Sequence, residues 1–279
     1  MNKLALARLQ TGLAYGVLGF LLVLVLFPFY WMTITSFKTE DQMRSLVSMF
    51  WPSPMNIDNY RQLLSKTEFM SWYGNSVIVA VSSTFVATAI GTIGAYALAR
   101  LKFLGRGFMA SATLITYLVP PSILFIPLYA QIKGLGLSNS LYGLIATYPS
   151  FTVPFVTWLL MGYFESIPEE LEESAMIDGA TRFGAFRRVI LPLAAPGLLA
   201  SGLYAFTQAW NEFLYALVFI TNVKLRTLPV GLSTFITGDV YGWGYLMAGA
   251  VLTTLPVIAA YIYLQKYMVE GLTAGSVKG

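Results

Sequence analysis

The chain has 279 residues, of which 57% are hydrophobic and only 11% charged, against roughly 25% charged in a soluble domain. So few charges argue against a water-soluble globule. Histidine and cysteine are both absent, which removes imidazole acid–base chemistry, cysteine nucleophiles, disulfides and every His/Cys metal site, and the net charge of +4 reads as an orienting charge for a membrane chain rather than a nucleic-acid surface.

Charges cluster, and the gaps between the clusters are long: 29 uncharged residues separate Arg8 from Lys38, and 31 separate Glu68 from Arg100. A bilayer span needs about 20 apolar residues. The pattern predicts an all-α integral membrane protein with six transmembrane helices, near 12–34, 72–98, 108–130, 141–163, 198–221 and 244–265. The first run is too long, and too poor in small-residue cleavage sites, for a signal peptide, so it is expected to be a retained helix. In the second, Ser83, Ala87, Gly91 and Ala95 recur every four residues, which predicts close helix packing more than a pore lining. Pro120, Pro121 and Pro127 interrupt the third and predict a kink or freed carbonyls. The stretch from Arg226 to Asp239 holds Pro229, Gly231 and Gly238 and is too short to span; it reads as a loop or interfacial turn. Tyr30 and Trp31, Trp72 and Tyr73, and Tyr241 and Trp243 fall at span ends and suggest an interfacial belt.

Six spans put both termini on one side. With the N-terminus inside, short loops carry ten Lys/Arg inside against three outside, so the positive-inside rule selects N-in/C-in. The expected organisation is 1–71 as a first span plus extracytoplasmic loop, 72–266 as the membrane domain with a cytoplasmic loop over 164–196, and 267–279 as a cytoplasmic tail.

That cytoplasmic loop is the most structured polar segment. Ser166 and Glu169 are spaced for a capping box, and Pro168 with Glu169, Glu170, Glu172 and Glu173 suits a helix N-terminus. Ile167, Leu171, Ser174 and Ala175 share one face, Gly179 can supply a left-handed stop, and a second amphipathic helix follows from Thr181 with Phe183, Phe186 and Val189 on one side. Pattern alone balances a rigid knob gripped by a partner against a solvated loop capping the bundle. Glu212 is the one ionisable group well inside an expected span, a functional candidate by default. With Trp210, Asn211 and Tyr215 it could line a solute pathway, or it could hydrogen-bond across helices.

The residues Glu173-Ser174-Ala175-Met176-Ile177-Asp178-Gly179-Ala180, followed by Val189, Leu191 and Pro192, resemble the EAA loop of binding-protein-dependent ABC importer permeases, with Ser174 for the first Ala and Val189 for Ile. Ser36-Phe37-Lys38, Trp51-Pro52-Ser53-Pro54, Asn59-Tyr60, Trp210-Asn211-Glu212-Phe213 and the C-terminal Gly271 to Gly279 resemble the sugar branch, in particular the smaller permease subunit of maltose-like systems. The resemblance implies a type I importer bundle in the inner membrane and no enzymatic activity in this chain. It also implies partners: a second permease of similar fold, two ATPase subunits holding ATP and Mg, and an extracytoplasmic solute-binding protein. Consistently, no Gly-x-x-x-x-Gly-Lys-Ser/Thr is present to cradle phosphates. ATPase coupling is then expected at Glu172, Glu173, Ala175, Asp178, Gly179, Ala180, Phe183 and Pro192, and a tail contact at Gly275, Ser276, Val277 and Lys278. The cargo implied is a sugar or oligosaccharide; a polyol or glycerol-phosphate permease, and a proton-coupled secondary transporter using Glu212, are the alternatives.

Overall fold

The computed structural model describes residues 3–45, 49–237 and 240–274, with side chains over 10–45, 49–236 and 242–267. Apart from one two-residue ribbon, its regular structure is helical, and it forms two compact units, 1–69 with 232–255 and 70–231 with 256–279.

In the first unit α1 (Lys3–Ser36) contains a 27-residue apolar stretch, Gln10–Ser36, whose most hydrophobic window is wholly exposed. At a rise of 1.5 Å per residue that stretch covers about 40 Å, enough to cross a bilayer. Its end is fixed by polar contacts: the Asn59 amide donates to the carbonyls of Ser36 and Lys38 at 2.9 and 2.8 Å, and Ser36 Oγ lies 2.7 Å from the Tyr60 hydroxyl. Thr39 caps α2 (Glu40–Arg44) in a reciprocal box with Gln42. The amphipathic α3 (Asp58–Lys66) buries Leu63. Beyond it, β1 (Ile236–Thr237) pairs antiparallel with β2 (Val240–Tyr241), and Tyr245, in the first turn of the last helix, donates to Gln62 Oε1 at 2.7 Å.

The second unit contains α4 (Phe69–Arg100) from its second residue onward, α5 (Arg106–Leu118), α6 (Pro121–Gly134), α7 (Leu141–Thr147), α8 (Pro149–Ser166), α9 (Glu169–Ile177), α10 (Arg182–Ala185), α11 (Leu191–Leu193), α12 (Ala195–Asn211) and α13 (Leu214–Phe219). One π-helical turn, Phe186–Ile190, links α10 to α11. Two helices run across the boundary of the units, α14 (Leu228–Ser233) and α15 (Trp243–Ala274). The core is built where small residues let backbones meet. Ser83, Ala87 and Ala95 of α4 are buried, and at Gly91 an added Cβ would lie 2.5 Å from Val156 Cγ1 of α8. Gly197 of α12 sits on the Tyr163 ring of α8 in the same way, with a Cβ distance of 2.5 Å. The expectation of close packing on this stripe is met.

Among the described residues four helices are long and apolar enough to cross a membrane, and six result if each of two bent pairs counts as one span. The predicted third span is not one helix: α5 and α6 meet at 97°. Val119 and Pro120 are extended, with ψ of 119° and 126°, because a residue before proline avoids the α region and proline offers no N–H to continue the ladder. The predicted fifth span is also corrected. Its helix stops at Asn211, Glu212 is extended at ψ 130°, and the chain re-enters a helix at Leu214. Trp72 does not belong to an interfacial belt; it is buried beneath Gly231, and its indole N–H donates to Val223 O at 2.8 Å.

Candidate functional site

The predicted helix–Gly–helix knob is present as α9, a turn and α10. Gly179 has φ +91°, a left-handed conformation in which a side chain costs about 1 kcal/mol, and the turn is closed by hydrogen bonds from Gly179 N to Met176 O at 3.1 Å and from Ala180 N to Ala175 O at 3.0 Å. Thr181 caps the second helix by accepting from Gly184 N at 3.1 Å. The expected capping box at the first helix does not form. Pro168 is the N-cap, and the Ser166 hydroxyl instead donates back to Tyr163 O at 2.7 Å.

The face that α9 turns to the rest of the unit is not the apolar one the spacing suggested. Leu171 is 44% exposed, whereas Glu172 is 5% exposed. The reason lies 72 residues earlier in the chain: Arg100, at the end of α4, is buried directly beneath it, with Arg100 Nε 3.8 Å from Glu172 Oε2 and Nη1 3.6 Å from Glu169 Oε1. The Tyr96 hydroxyl donates to the other Glu172 oxygen. Arg100 Nη2 also donates to Phe164 O at 2.7 Å and to Ile167 O, carbonyls at the end of α8. Phe164, Ile167, Phe186 and Ile190 complete the floor, with the Tyr96 and Phe186 rings 4.5 Å apart. Glu172 is therefore engaged inside the chain. Tyr96 and Arg100 carry no local signal that joins them to this helix; only an arginine at a span end next to an acid-rich loop hinted at the pairing.

The remaining coupling candidates lie outward. Glu173, Asp178, Gly179 and Pro192 are exposed, Ala175 and Ala180 are half-buried beside them, and Phe183 and Ile177 are 71% and 85% exposed. Acids and large apolar side chains thus share one projecting surface.

At the other candidate site, Trp210 and Tyr215 are 1% exposed and packed: Trp210 stacks on Phe206 at 5.6 Å, and the Tyr215 hydroxyl donates to Pro121 O at 2.7 Å, tying α13 to the break before α6. Glu212 accepts from Tyr215 N at 2.8 Å, Ala216 N at 3.1 Å and the Tyr148 hydroxyl at 2.7 Å. Of the four residues only Asn211 is exposed, and it continues a polar stripe the sequence reading missed: Tyr204, Gln208 and Asn211, at i, i+4 and i+7 of α12. Gln208 Nε2 donates to the Tyr204 hydroxyl at 2.9 Å, that hydroxyl is bonded to Tyr117, and the Phe155 ring lies 4.0 Å from the Tyr204 ring, with Trp158 next in line at 5.9 Å. Polar groups of this kind at span depth face protein or water, not lipid. Gly275, Ser276, Val277 and Lys278 lie outside the described residues.

Comparison with known proteins decides what these sites belong to. Residues 87–273 match the model of the family described as binding-protein-dependent transport system inner membrane component. The chain belongs to this family. It is a multi-pass inner-membrane permease subunit of a binding-protein-dependent ABC importer, not itself an enzyme. It is 37% identical over 280 residues to the inner membrane ABC transporter permease protein YcjP of Escherichia coli, covering 100% of this chain and 99% of that one. It is 36% identical over 261 residues to the trehalose/maltose transport system permease protein MalG of Thermococcus litoralis, covering 92% and 93% of the two chains. Its fold is similar to that of a chain in the crystal structure of a bacterial ABC transporter involved in the import of the acidic polysaccharide alginate, with a TM-score of 0.80 at 24% identity, covering 93% of this chain and 96% of that one.

Proposed function

We propose that this permease passes a sugar or oligosaccharide from an extracytoplasmic binding protein to the cytoplasm, driven by two ATPase subunits that hold ATP and Mg and working beside a second permease of similar fold. The observation that carries the coupling half of this reading is the α9–Gly179–α10 knob. Its buried face is held by Arg100, and its other face presents Glu173, Asp178, Ile177 and Phe183 with nothing from the described residues covering them. A helix with apolar anchors and acids fits a groove on a partner. Ala175 and Ala180 allow close approach, Pro192 closes the segment, and 164–196 lies on the cytoplasmic side in the N-in/C-in arrangement. Gly275 to Lys278 supply a second contact with the ATPase pair.

The sugar half rests on what the relatives' names say they carry, trehalose and maltose in one and alginate in another, and on the stripe Tyr204, Gln208 and Asn211. Aromatic faces suit the apolar side of a pyranose, and amides and hydroxyls suit its edge. Of the residues first expected on the pathway, Asn211 stays on it, whereas Trp210, Glu212 and Tyr215 support it from behind.

The test is purification of the tagged chain in mild detergent, followed by uptake in proteoliposomes. A second permease, ATPase subunits and a binding protein whose melting temperature rises with one member of a sugar panel are the expected result. The Gly179→Asp variant is expected to fold, because no atom lies within 4 Å of the added Cβ and the left-handed φ costs only about 1 kcal/mol, but to lose uptake. A chain that transports alone, or a Gly179→Asp complex with normal uptake and ATPase stimulation, overturns the reading.

A further inference from the structure

Between α8 and α9 the chain makes an elbow. Ile167 and Pro168 are both extended, with ψ of 127° and 134°, so no helical ladder crosses it. A push on α9 transmitted through such a joint would bend the joint before it moved α8. Arg100 bonds to both sides: it holds Phe164 O and Ile167 O at the end of α8, pairs with Glu169 and Glu172 in α9, and is itself the last residue of α4.

We propose that Arg100 is the positioning residue that locks α9 to the end of α4, so that displacement of the docking helix reaches the membrane bundle through α4 instead of being absorbed at the elbow. The inference rests on the reading of α9 as the helix that a partner grips.

Burial is what distinguishes a lock from a surface pair. The Arg100 and Glu172 side chains are 4% and 6% exposed. Buried ion pairs add little net stability over an apolar contact of the same size, yet separating one strands a desolvated charge. Such a junction is a poor glue and a stiff link. It is also directional, because a guanidinium presents its donors in a fixed planar fork: here Nη2 holds the two carbonyls, and the charge faces the two carboxylates at 3.6 and 3.8 Å. Glu172 is oriented from its other side by the Tyr96 hydroxyl, one turn before Arg100 on α4, so α9 is held to α4 at two successive turns.

The experiment uses the complete transporter in proteoliposomes. The chain has no native cysteine, so spin labels at Ile93→Cys on α4 and Glu170→Cys on α9, both exposed sites, report the separation of the two helices with no background from this chain, once any cysteines of the partner subunits are replaced. With Arg100 present, one narrow distance distribution is expected in both nucleotide-free and ATP-bound states. In Arg100→Gln it should broaden and shift on ATP binding, and maltotriose moved per ATP hydrolysed should fall roughly 5-fold or more, the lower end of ordinary coupling between sites. Arg100→Lys should restore part of both. An Arg100→Gln complex with the narrow distribution, or a parent pair whose distance itself shifts with ATP, overturns the lock. If Arg100→Gln does not assemble, Glu172→Gln, which keeps the side chain's shape and its Tyr96 partner, is read by the same two outcomes. Absence of ATP-dependent uptake of every sugar of the panel in the parent complex counts against the sugar reading alone, because the distances decide the lock without it.

Discussion

Glu212 accepts three hydrogen bonds at a place where the chain could have carried one continuous helix. Two come from the Tyr215 and Ala216 N–H groups in the first turn of α13 and one from the Tyr148 hydroxyl. Unpaired helix N-termini attract carboxylates, so the residue works as the cap and cross-brace of a broken span. A proton carrier needs a carboxylate free to load and unload; this one is engaged on both oxygens. Glu212→Ala should therefore cost about 1–3 kcal/mol, the range for stripping buried partners of a charged acceptor, seen as a lower melting temperature in detergent. Glu212→Gln, which keeps an acceptor oxygen, should retain uptake with an unchanged pH profile. Loss of uptake in Glu212→Gln at full stability would restore the carrier role. The intramembrane acid was legible from sequence as a special position. Its structural task was not, because the partners that define it are a tyrosine 64 residues earlier and a helix start with no glycine or proline to announce it.

Among the elements, the breaks divide by cause. The Pro120–Pro121 break is written locally, since proline removes a donor and restricts its predecessor. The break at Glu212 is imposed by tertiary bonds, among them the Tyr215 hydroxyl on Pro121 O, so a hydropathy reading ran one helix straight through it. The same distinction explains the knob. Its two helices, glycine stop and Thr181 cap were legible, whereas its buried face was misread because a glutamate faces inward only if an arginine elsewhere receives it. Helix packing in the second unit gives a further prediction. Gly197→Val would drive carbon into the Tyr163 ring of α8, an overpacking worth about 1–3 kcal/mol. Gly162→Ala, on α8 with no atom within 4 Å of the new Cβ, should be neutral or stabilising, since alanine is the better helix former by about 1 kcal/mol. Thermal unfolding of the isolated chain in detergent should rank the variants in that order. Equal melting temperatures would mean that the α8–α12 contact is not close-packed as described.

For the whole molecule, the few charges carry the most information, because low charge content identifies a membrane chain and charge placement orients it. The N-in/C-in arrangement makes a sharp prediction in a protein with no native cysteine. Single cysteines at Ser53 and Leu135 fall in exposed segments expected outside, and one at Leu104 in the exposed turn between α4 and α5 expected inside. An impermeant maleimide added to intact spheroplasts should label the first two, and Leu104→Cys only after permeabilisation. The stake is mechanical as well as topological. Leu104 follows Arg100 by four residues, and Arg100 holds the knob, so the side on which Leu104 is labelled is the side on which α9 meets its partner. Labelling of Leu104→Cys from outside would place α9 away from any cytoplasmic ATPase, and no ATP-driven motion could then reach the bundle through it. The same experiment decides the third span, because Leu104 and Leu135 lie on opposite sides only if the bent pair α5 and α6 crosses the membrane as one span. Equal protection of the two positions would make that pair a re-entrant loop, with the 97° bend at its tip.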